Sequence, residues 1–195
     1  MKSSLRIRAK KERALIKLKS ESENTFLNHI NSCLDTVFSI DNNINVIGLY
    51  YPILDEISPF GFIQYLKTNH ITTALPVVQI NTKTMVFKKW DKKDNLKKSH
   101  LGNYEPAITN TTVFPQIIVV PMLMFDRKLN RLGYGGGYYD KSIFSLKQYF
   151  HRQEKSFFSI GLAYSEQETK SIPYESHDQK LDFIVTEKEI LSKVD

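Results

Sequence analysis

Cysteine is nearly absent from these 195 residues: Cys33 stands alone, so no internal disulfide can form and a reducing compartment suits the chain. No apolar run reaches the roughly 18–20 residues that a membrane-spanning helix needs, and no apolar signal-peptide core lies near the start. A cytoplasmic protein without a membrane partner is expected. Tryptophan occurs once, at Trp90, and glycine only eight times. Repeats, low-complexity segments and linker-like stretches are missing, and the length suits one domain, 1–195, with a core of its own.

Net positive charge is missing from most of the chain, despite a formal net charge of +6. Residues 1–20 carry Lys2, Arg6, Arg8, Lys10, Lys11, Arg13, Lys17 and Lys19 against Glu12 alone, a net +7. The excess therefore belongs to one N-terminal helix, about 2–20, and the body is close to neutral. Nucleic acid, an anionic ligand or a role as transit peptide all fit such a helix. So does a plain solvated face over an inward row of Leu5, Ala9, Leu15 and Leu18.

Against the scarcity of glycine, four glycines crowd into RLGYGGGYYD, Arg131 to Asp140, at Gly133, Gly135, Gly136 and Gly137. Upstream, Ile117-Ile118-Val119-Val120-Pro121 reads as a buried strand. Downstream, Tyr138 to Phe150 forms a helix with Ile143, Leu146 and Phe150 on one face. A strand, a glycine turn and a helix start make a backbone anion site, because glycine lets the main chain approach a phosphate and the first helical N–H groups point at it. Arg131 can add a forked, charge-assisted contact. The spacing matches neither the dinucleotide fingerprint nor the Walker pattern, since Lys141-Ser142 follows Asp140 where the latter needs glycine. A carboxylate there repels phosphate unless a divalent cation stands between them.

The remaining pattern alternates strands and helices. Ser22 to Phe38 reads as a helix with Phe26, Ile30, Leu34 and Val37 inward, ended by Asp41-Asn42-Asn43, and Asn45 to Tyr50 as a buried strand. The carboxylates Asp55 and Glu56 then precede a helix over Phe60 to Thr68. They suit ligand contact beyond a strand end, or equally helix-start charge compensation. Thr72 to Val78 and Met85 to Trp90 are expected strands around Asn81-Thr82-Lys83. Trp90 with Lys88, Lys89, Lys92 and Lys93 makes a basic aromatic corner for a planar ring with an acidic tail, or an edge strand kept soluble by lysine. Tyr104-Glu105-Pro106 falls in a loop, and Phe157 to Ala163 and Leu181 to Thr186 supply two more strands. The expected fold is α/β: a three-layer α/β/α single domain, Rossmann-like, with a mostly parallel sheet. Its ligand loops follow residues 50, 121, 164 and 186.

Taken in order, these segments resemble the 5-formyltetrahydrofolate cyclo-ligase family, also called 5,10-methenyltetrahydrofolate synthetases. PMLMFDRKLNRLGYGGGYYDK carries the resemblance most specifically. Lys2-x-x-x-Arg6, Tyr51-Pro52, Asp55-Glu56-Ile57, Leu75-Pro76, Met85-x-Phe87-x-x-Trp90, Glu105-Pro106 and His177-Asp178-x-x-x-Asp182-x-Ile184-Val185-Thr186 extend it over nearly the whole chain. Asn130 stands where the family often has glycine, Met122-Leu123-Met124 replaces smaller residues, and Lys141 replaces a frequent arginine.

The resemblance implies ATP- and Mg-dependent closure of 5-formyltetrahydrofolate, with or without a polyglutamylated tail, to 5,10-methenyltetrahydrofolate, ADP and phosphate. The formyl oxygen is a poor leaving group, so its phosphorylation to an iminium phosphate precedes attack by N10. By the same resemblance, Lys2, Ser3, Ser4, Leu5, Arg6, Arg131, Leu132, Gly133, Tyr134, Gly135, Gly136, Gly137, Tyr138 and Tyr139 form the ATP site. Asp140 and Asp178 hold Mg, Tyr51, Glu56 and Trp90 contact the folate, and Arg131, Tyr138 and Glu56 are the catalytic candidates. A basic helix facing triphosphate favours the anionic ligand over nucleic acid, and a monomer is expected. The rivals are a nucleic-acid module working through residues 1–20 and an α/β enzyme acting on sugar phosphates or coenzyme A.

Overall fold

The computed structural model describes residues 2–17, 23–99 and 102–193. Helix α1 (Lys2–Lys17) and helix α2 (Glu23–Ile40) precede strand β1 (Val46–Gly48); a 3-10 turn at Pro59–Phe62 leads into α3 (Ile63–Thr68). Strands β2 (Thr72–Gln79), β3 (Thr84–Lys89), β4 (Leu96–Lys98), β5 (Tyr104–Pro106), β6 (Thr112–Val113), β7 (Ile117–Pro121), β8 (Met124–Phe125) and β9 (Arg131–Leu132) follow. Helix α4 (Tyr138–His151) and strands β10 (Phe158–Leu162), β11 (Phe183–Val185) and β12 (Ile190–Ser192) complete the order.

Eight strands form one sheet in the order β12-β11-β10-β7-β1-β2-β3-β6. The five from β11 to β2 run parallel, and β12, β3 and β6 add antiparallel edges. The apolar run of β7 is explained by burial on both faces. Ile117 and Val119 join the α2 side of the core, whereas Ile118 and Val120 join the α4 side. Phe26, Ile30, Leu34 and Val37 of α2 are all buried against the first face, together with Leu66 of α3. Ile143, Leu146 and Phe150 of α4 cover the second face with Phe87. Each aliphatic side chain so buried contributes about 1.5–3 kcal/mol, which fixes the three-layer order. Among the described residues, no helix is long and apolar enough to cross a membrane.

Three expectations need correction. The inward face of α1 is not a leucine row: Leu15 is 61% exposed, and Ala9, Arg13 and Ile16 are the buried positions. A polar anchor sets that face, Arg13 donating to the Met122 carbonyl at 3.1 Å. Leu18, Lys19 and Ser22 lie outside the described residues. Secondly, strand β7 does not run straight into the glycine turn, because the hairpin β8–β9 intervenes. Buried Asp126 organises it, accepting from the N–H groups of Lys128, Asn130 and Ile172. In this hairpin Leu129 takes the left-handed backbone (φ 62), and the side-chain amide of Asn130 donates to Asp126. Finally, Tyr104-Glu105-Pro106 is not loop but strand β5, paired with β4. Glu105 accepts the Val78 N–H at 3.1 Å and so docks this hairpin on β2.

Candidate active site

The carboxyl ends of β1, β2 and β7 open into a cleft of about 630 Å³. Tyr50, Tyr51 and Glu56 line it beyond β1, Pro76 and Val78 from β2, and Pro121 from β7. Lys2 and Arg6 of α1, the run from Arg131 to Asp140, and Glu175, His177 and Asp178 from the loop after β10 make up most of the rest of the wall, with Ile53, Met85 and Asn103. Three of the four expected ligand loops therefore contribute, those after residues 50, 121 and 164, the last being the long segment between β10 and β11. The loop after 186 does not line the cleft.

On one side the cleft is built for an anion. Gly135 (φ 100) and Gly137 (φ 73) turn the chain through left-handed backbone that a Cβ disfavours. Gly137 is the N-cap of α4 and supplies no side-chain acceptor, so the first-turn N–H groups are left for a ligand. Arg6 donates from Nε to the Gly133 carbonyl at 2.9 Å. Its guanidinium carbon lies 3.0 Å from where a Cβ on Gly135 would stand, so the missing side chain is what admits it.

Two carboxylates are held beside these cations. Asp140 accepts Nη2 of Arg131 at 2.7 Å and the Gln179 N–H at 2.9 Å through the same oxygen, Oδ1, while Nη1 of Arg131 donates to the Gln179 carbonyl. Asp178 accepts Lys2 Nζ at 2.7 Å, and Glu175 approaches the same ammonium at 3.2 Å. Burial works against both charges, yet the bonds to Asp178 and Glu175 raise the pKa of Lys2. The bonds from Lys2 and the Glu175 N–H lower that of Asp178. The described hydrogen bonds use one oxygen of each aspartate, Oδ1 of Asp140 and Oδ2 of Asp178. A second carboxylate oxygen on each is the donor type that Mg prefers, so each suits the ion by donor chemistry, although Asp140 is not in the ligand cluster around Asp178. His177 and Glu175 bring ligand atoms within 4.8 Å of Asp178.

The other side is aromatic and acidic. Glu56 is buried, and its Oε2 accepts the Ile53 N–H at 2.9 Å. Burial pushes its carboxyl pKa up, opposed by the Ile53 N–H and by Arg13. Asp55, its neighbour in sequence, does not line the cleft, so the apparent carboxylate pair is divided. Burial likewise pushes the Tyr134 hydroxyl up to about 12 and raises Tyr50 and Tyr139, which keeps all three as hydrogen-bond donors. Tyr51 stands with its ring 5.0 Å from Tyr104 and 5.6 Å from Phe60.

Some expected site residues lie elsewhere. Trp90 is 4% exposed and packs in the core 5.2 Å from Phe60, which separates it from the cleft wall. The lysine corner around it is split as well, for Lys88 is buried and donates to Thr112. Ser3 and Ser4 are exposed on the outer side of α1, and Leu5 packs against the cluster of Leu123 and Leu132. None of these three lines the cleft. The sequence reading did not single out Arg13, which bonds the Tyr134 hydroxyl at 2.6 Å. Its signal was available: Lys2, Arg6 and Arg13 recur at helical spacing on one face of α1.

The sequence profile of the 5-formyltetrahydrofolate cyclo-ligase family matches residues 1–187. A 5-formyltetrahydrofolate cyclo-ligase of Haemophilus influenzae is 34% identical over 140 residues, covering 69% of this chain and 72% of that protein. A probable 5-formyltetrahydrofolate cyclo-ligase of Schizosaccharomyces pombe is 30% identical over 118 residues, 56% of this chain and 58% of the relative. The NMR structure of Aquifex aeolicus 5,10-methenyltetrahydrofolate synthetase superposes with a TM-score of 0.68 at 23% identity, over 96% of this chain and 92% of the other. A 5,10-methenyltetrahydrofolate synthetase from Mycoplasma pneumoniae gives 0.67 at 23% identity, over 95% and 98%. At that identity the two superpositions speak for the fold.

Proposed function

This chain belongs to the 5-formyltetrahydrofolate cyclo-ligase family, and we propose that it closes 5-formyltetrahydrofolate to 5,10-methenyltetrahydrofolate at the expense of ATP, with Mg. The observation that carries this reading is the division of one cleft into a cationic glycine loop and a buried carboxylate among aromatic rings. A nucleotide triphosphate suits the first half and a reduced pterin the second.

The chemistry needs two substrates aligned and the charge of a transferring phosphoryl group neutralised, and no covalent nucleophile. The formyl oxygen takes the γ-phosphoryl group from ATP, giving an iminium phosphate and ADP. N10 then adds to the activated carbon and gives up its proton to solvent or to the departing group, and the C–O bond breaks with phosphate as leaving group. Lys2, Arg6 and the first-turn N–H groups of α4 face the triphosphate. Arg131, fixed by Asp140, stands where the transferring group gathers charge. Tyr138 opens the helix at that point, and Glu56 accepts hydrogen bonds from the pterin, with Tyr51 as its ring wall. Asp140 and Asp178 would hold Mg, which supplies further neutralisation of phosphate charge. Ser3, Ser4 and Leu5 act only through α1, and Trp90 only by backing Phe60. The working unit on this reading is a monomer in the cytoplasm, and a polyglutamate tail on the folate is compatible with it.

Absorbance of the methenyl product, followed with and without MgATP, tests the reaction. Product that forms only when 5-formyltetrahydrofolate, ATP and Mg are all present supports it; turnover indifferent to MgATP, or none at all, overturns it.

A further inference from the structure

Arg13 is 2% exposed, although it sits on the most basic segment of the chain. Burying a guanidinium is unfavourable unless its N–H groups and charge are met. Nη1 donates to the Met122 carbonyl at 3.1 Å, and Nη2 to the Tyr134 hydroxyl at 2.6 Å. The guanidinium also stands 5.6 Å from the Tyr134 ring centroid, so it holds the hydroxyl and shares the ring with the Lys10 ammonium at 5.3 Å. Across from it, Oε1 of Glu56 lies 4.0 Å from Nη1. Among the described residues, Nε of Arg13 and Oε1 of Glu56 both lack a hydrogen-bond partner.

An arginine that merely stitched α1 to the core would have its donors met by the core. Here the network is closed toward Met122 and Tyr134, and it is open at the Glu56 oxygen, which lines the cleft. We propose that Arg13 is a positioning residue: it holds Tyr134 of the glycine loop and the carboxylate of Glu56 in one fixed relation, so that the nucleotide side and the folate side of the cleft are aligned by a single cation. This rests on the cyclo-ligase reading above for the identity of the two substrates. The groups that face Glu56 are Arg13 from α1, Tyr134 from the glycine loop, Tyr50 beyond β1 and Tyr139 from α4. Arg13 is the one cation among them, and the three tyrosines stay neutral.

The test compares wild type, Arg13→Gln and Arg13→Lys, each with and without Glu56→Gln, by the pH profile of kcat/KM for 5-formyltetrahydrofolate at saturating MgATP. Arg13→Gln should lower the folate kcat/KM on the order of tenfold or more. It should also move the acid limb to higher pH, because Glu56 loses the charge that favours its anion. Arg13→Lys should keep the limb near its wild-type place and recover only part of the rate, since a single ammonium does not span the Met122 carbonyl and the Tyr134 hydroxyl. In the Glu56→Gln background, Arg13→Gln should lose much less, the two acting as a unit. An unmoved limb together with losses that simply multiply makes Arg13 a structural residue and overturns the proposal.

Should Arg13→Gln fail to fold, the cycle of Arg13→Lys with Tyr134→Phe replaces it, with the same non-additivity expected and additivity overturning the proposal. Carbon NMR titration of the Glu56 carboxyl in wild type and, where it folds, Arg13→Gln needs no turnover. It separates the two inferences: absent product formation defeats the cyclo-ligase reading. A Glu56 titration indifferent to the substitution, with the Tyr134 cycle additive, defeats the positioning role alone.

Discussion

Lys2 and Asp178 meet at 2.7 Å across 176 positions of sequence. This contact pins the first turn of α1 onto the loop after β10, and Arg6, one helical turn later, is thereby carried onto the Gly133 carbonyl. The basic excess of the chain is thus split by side-chain direction. Lys2, Arg6 and Arg13 turn inward to the site, Arg8 and Lys11 face solvent, and Lys10, though exposed, holds its ammonium 5.3 Å from the Tyr134 ring centroid.

Lys2→Ala should therefore raise the apparent KM for ATP while leaving the fold intact. A single ion pair of this kind changes stability by about 1 kcal/mol or less when it is near solvent. Paired ATP-saturation curves and thermal melts check this. Identical ATP saturation in the two proteins leaves α1 as a surface helix.

Glu56→Gln should act on the other substrate. Losing a charge-assisted hydrogen bond costs about 1.5–3 kcal/mol, or roughly 10- to 100-fold in kcat/KM for the folate, with the KM for ATP nearly unchanged. Equal damage to both substrates contradicts the assignment of Glu56 to the pterin.

The same carboxylate gives a sign for stability against pH. Burial raises the pKa of Glu56 above its ordinary value of 4.5 in the folded chain. The unfolded chain loses its proton first as pH rises, so native stability from this group is greatest below that ordinary value. It declines as pH climbs through the folded pKa. Gln does not titrate, so wild type should lose stability relative to Glu56→Gln between acid and neutral pH. Denaturant midpoints at several pH values measure the difference, and a gap that widens in favour of wild type runs against the buried-carboxylate account.

The parts legible in the sequence were those with a strong local signal. Ile117–Pro121 announced a doubly buried strand, α2 and α4 showed their stripes, and four crowded glycines marked the anion loop. Two- and three-residue strands such as β6, β8, β9 and β12 carry no usable period, because pairing with a neighbour, not their own pattern, makes them strands. Trp90 misled for a related reason. Its lysine neighbours suggested an exposed corner, whereas its backbone bonds to Thr73 of β2 and its contact with the Phe60 ring hold it inside. Leu15 and Arg13 exchanged expected places because a hydrogen-bonded guanidinium can outrank a leucine in setting a helix face.

Gly135→Ala tests the loop itself. A residue forced into this backbone region bears strain of about 1–3 kcal/mol, and the added methyl would stand 3.0 Å from Cζ of Arg6. The variant should melt a few degrees lower and bind ATP less well, since Arg6 must shift from the Gly133 carbonyl. Unchanged nucleotide binding, by calorimetry, leaves the loop as a turn without a ligand role.

Asp140 and Asp178 provide the sharpest test of the metal assignment. Each already neutralises a cation of the cleft, Arg131 for the first and Lys2 for the second. Replacing either with Asn therefore removes an oxygen ligand and frees a positive charge beside the phosphate site. If both hold one Mg, the single variants should lose activity at low Mg and regain part of it at high Mg, because a weaker metal site still fills when the ion is abundant. The double variant should lose far less than the product of the two single losses, since two ligands of one ion act as a unit. If instead the aspartates serve only to orient Arg131 and Lys2, the losses are insensitive to Mg and multiply. Conserving the partner separates the two further: Arg131→Lys keeps a cation beside Asp140 and should leave the Mg dependence in place. Activity measured against Mg concentration for the four proteins resolves the matter, and multiplicative, Mg-insensitive losses sink the shared site.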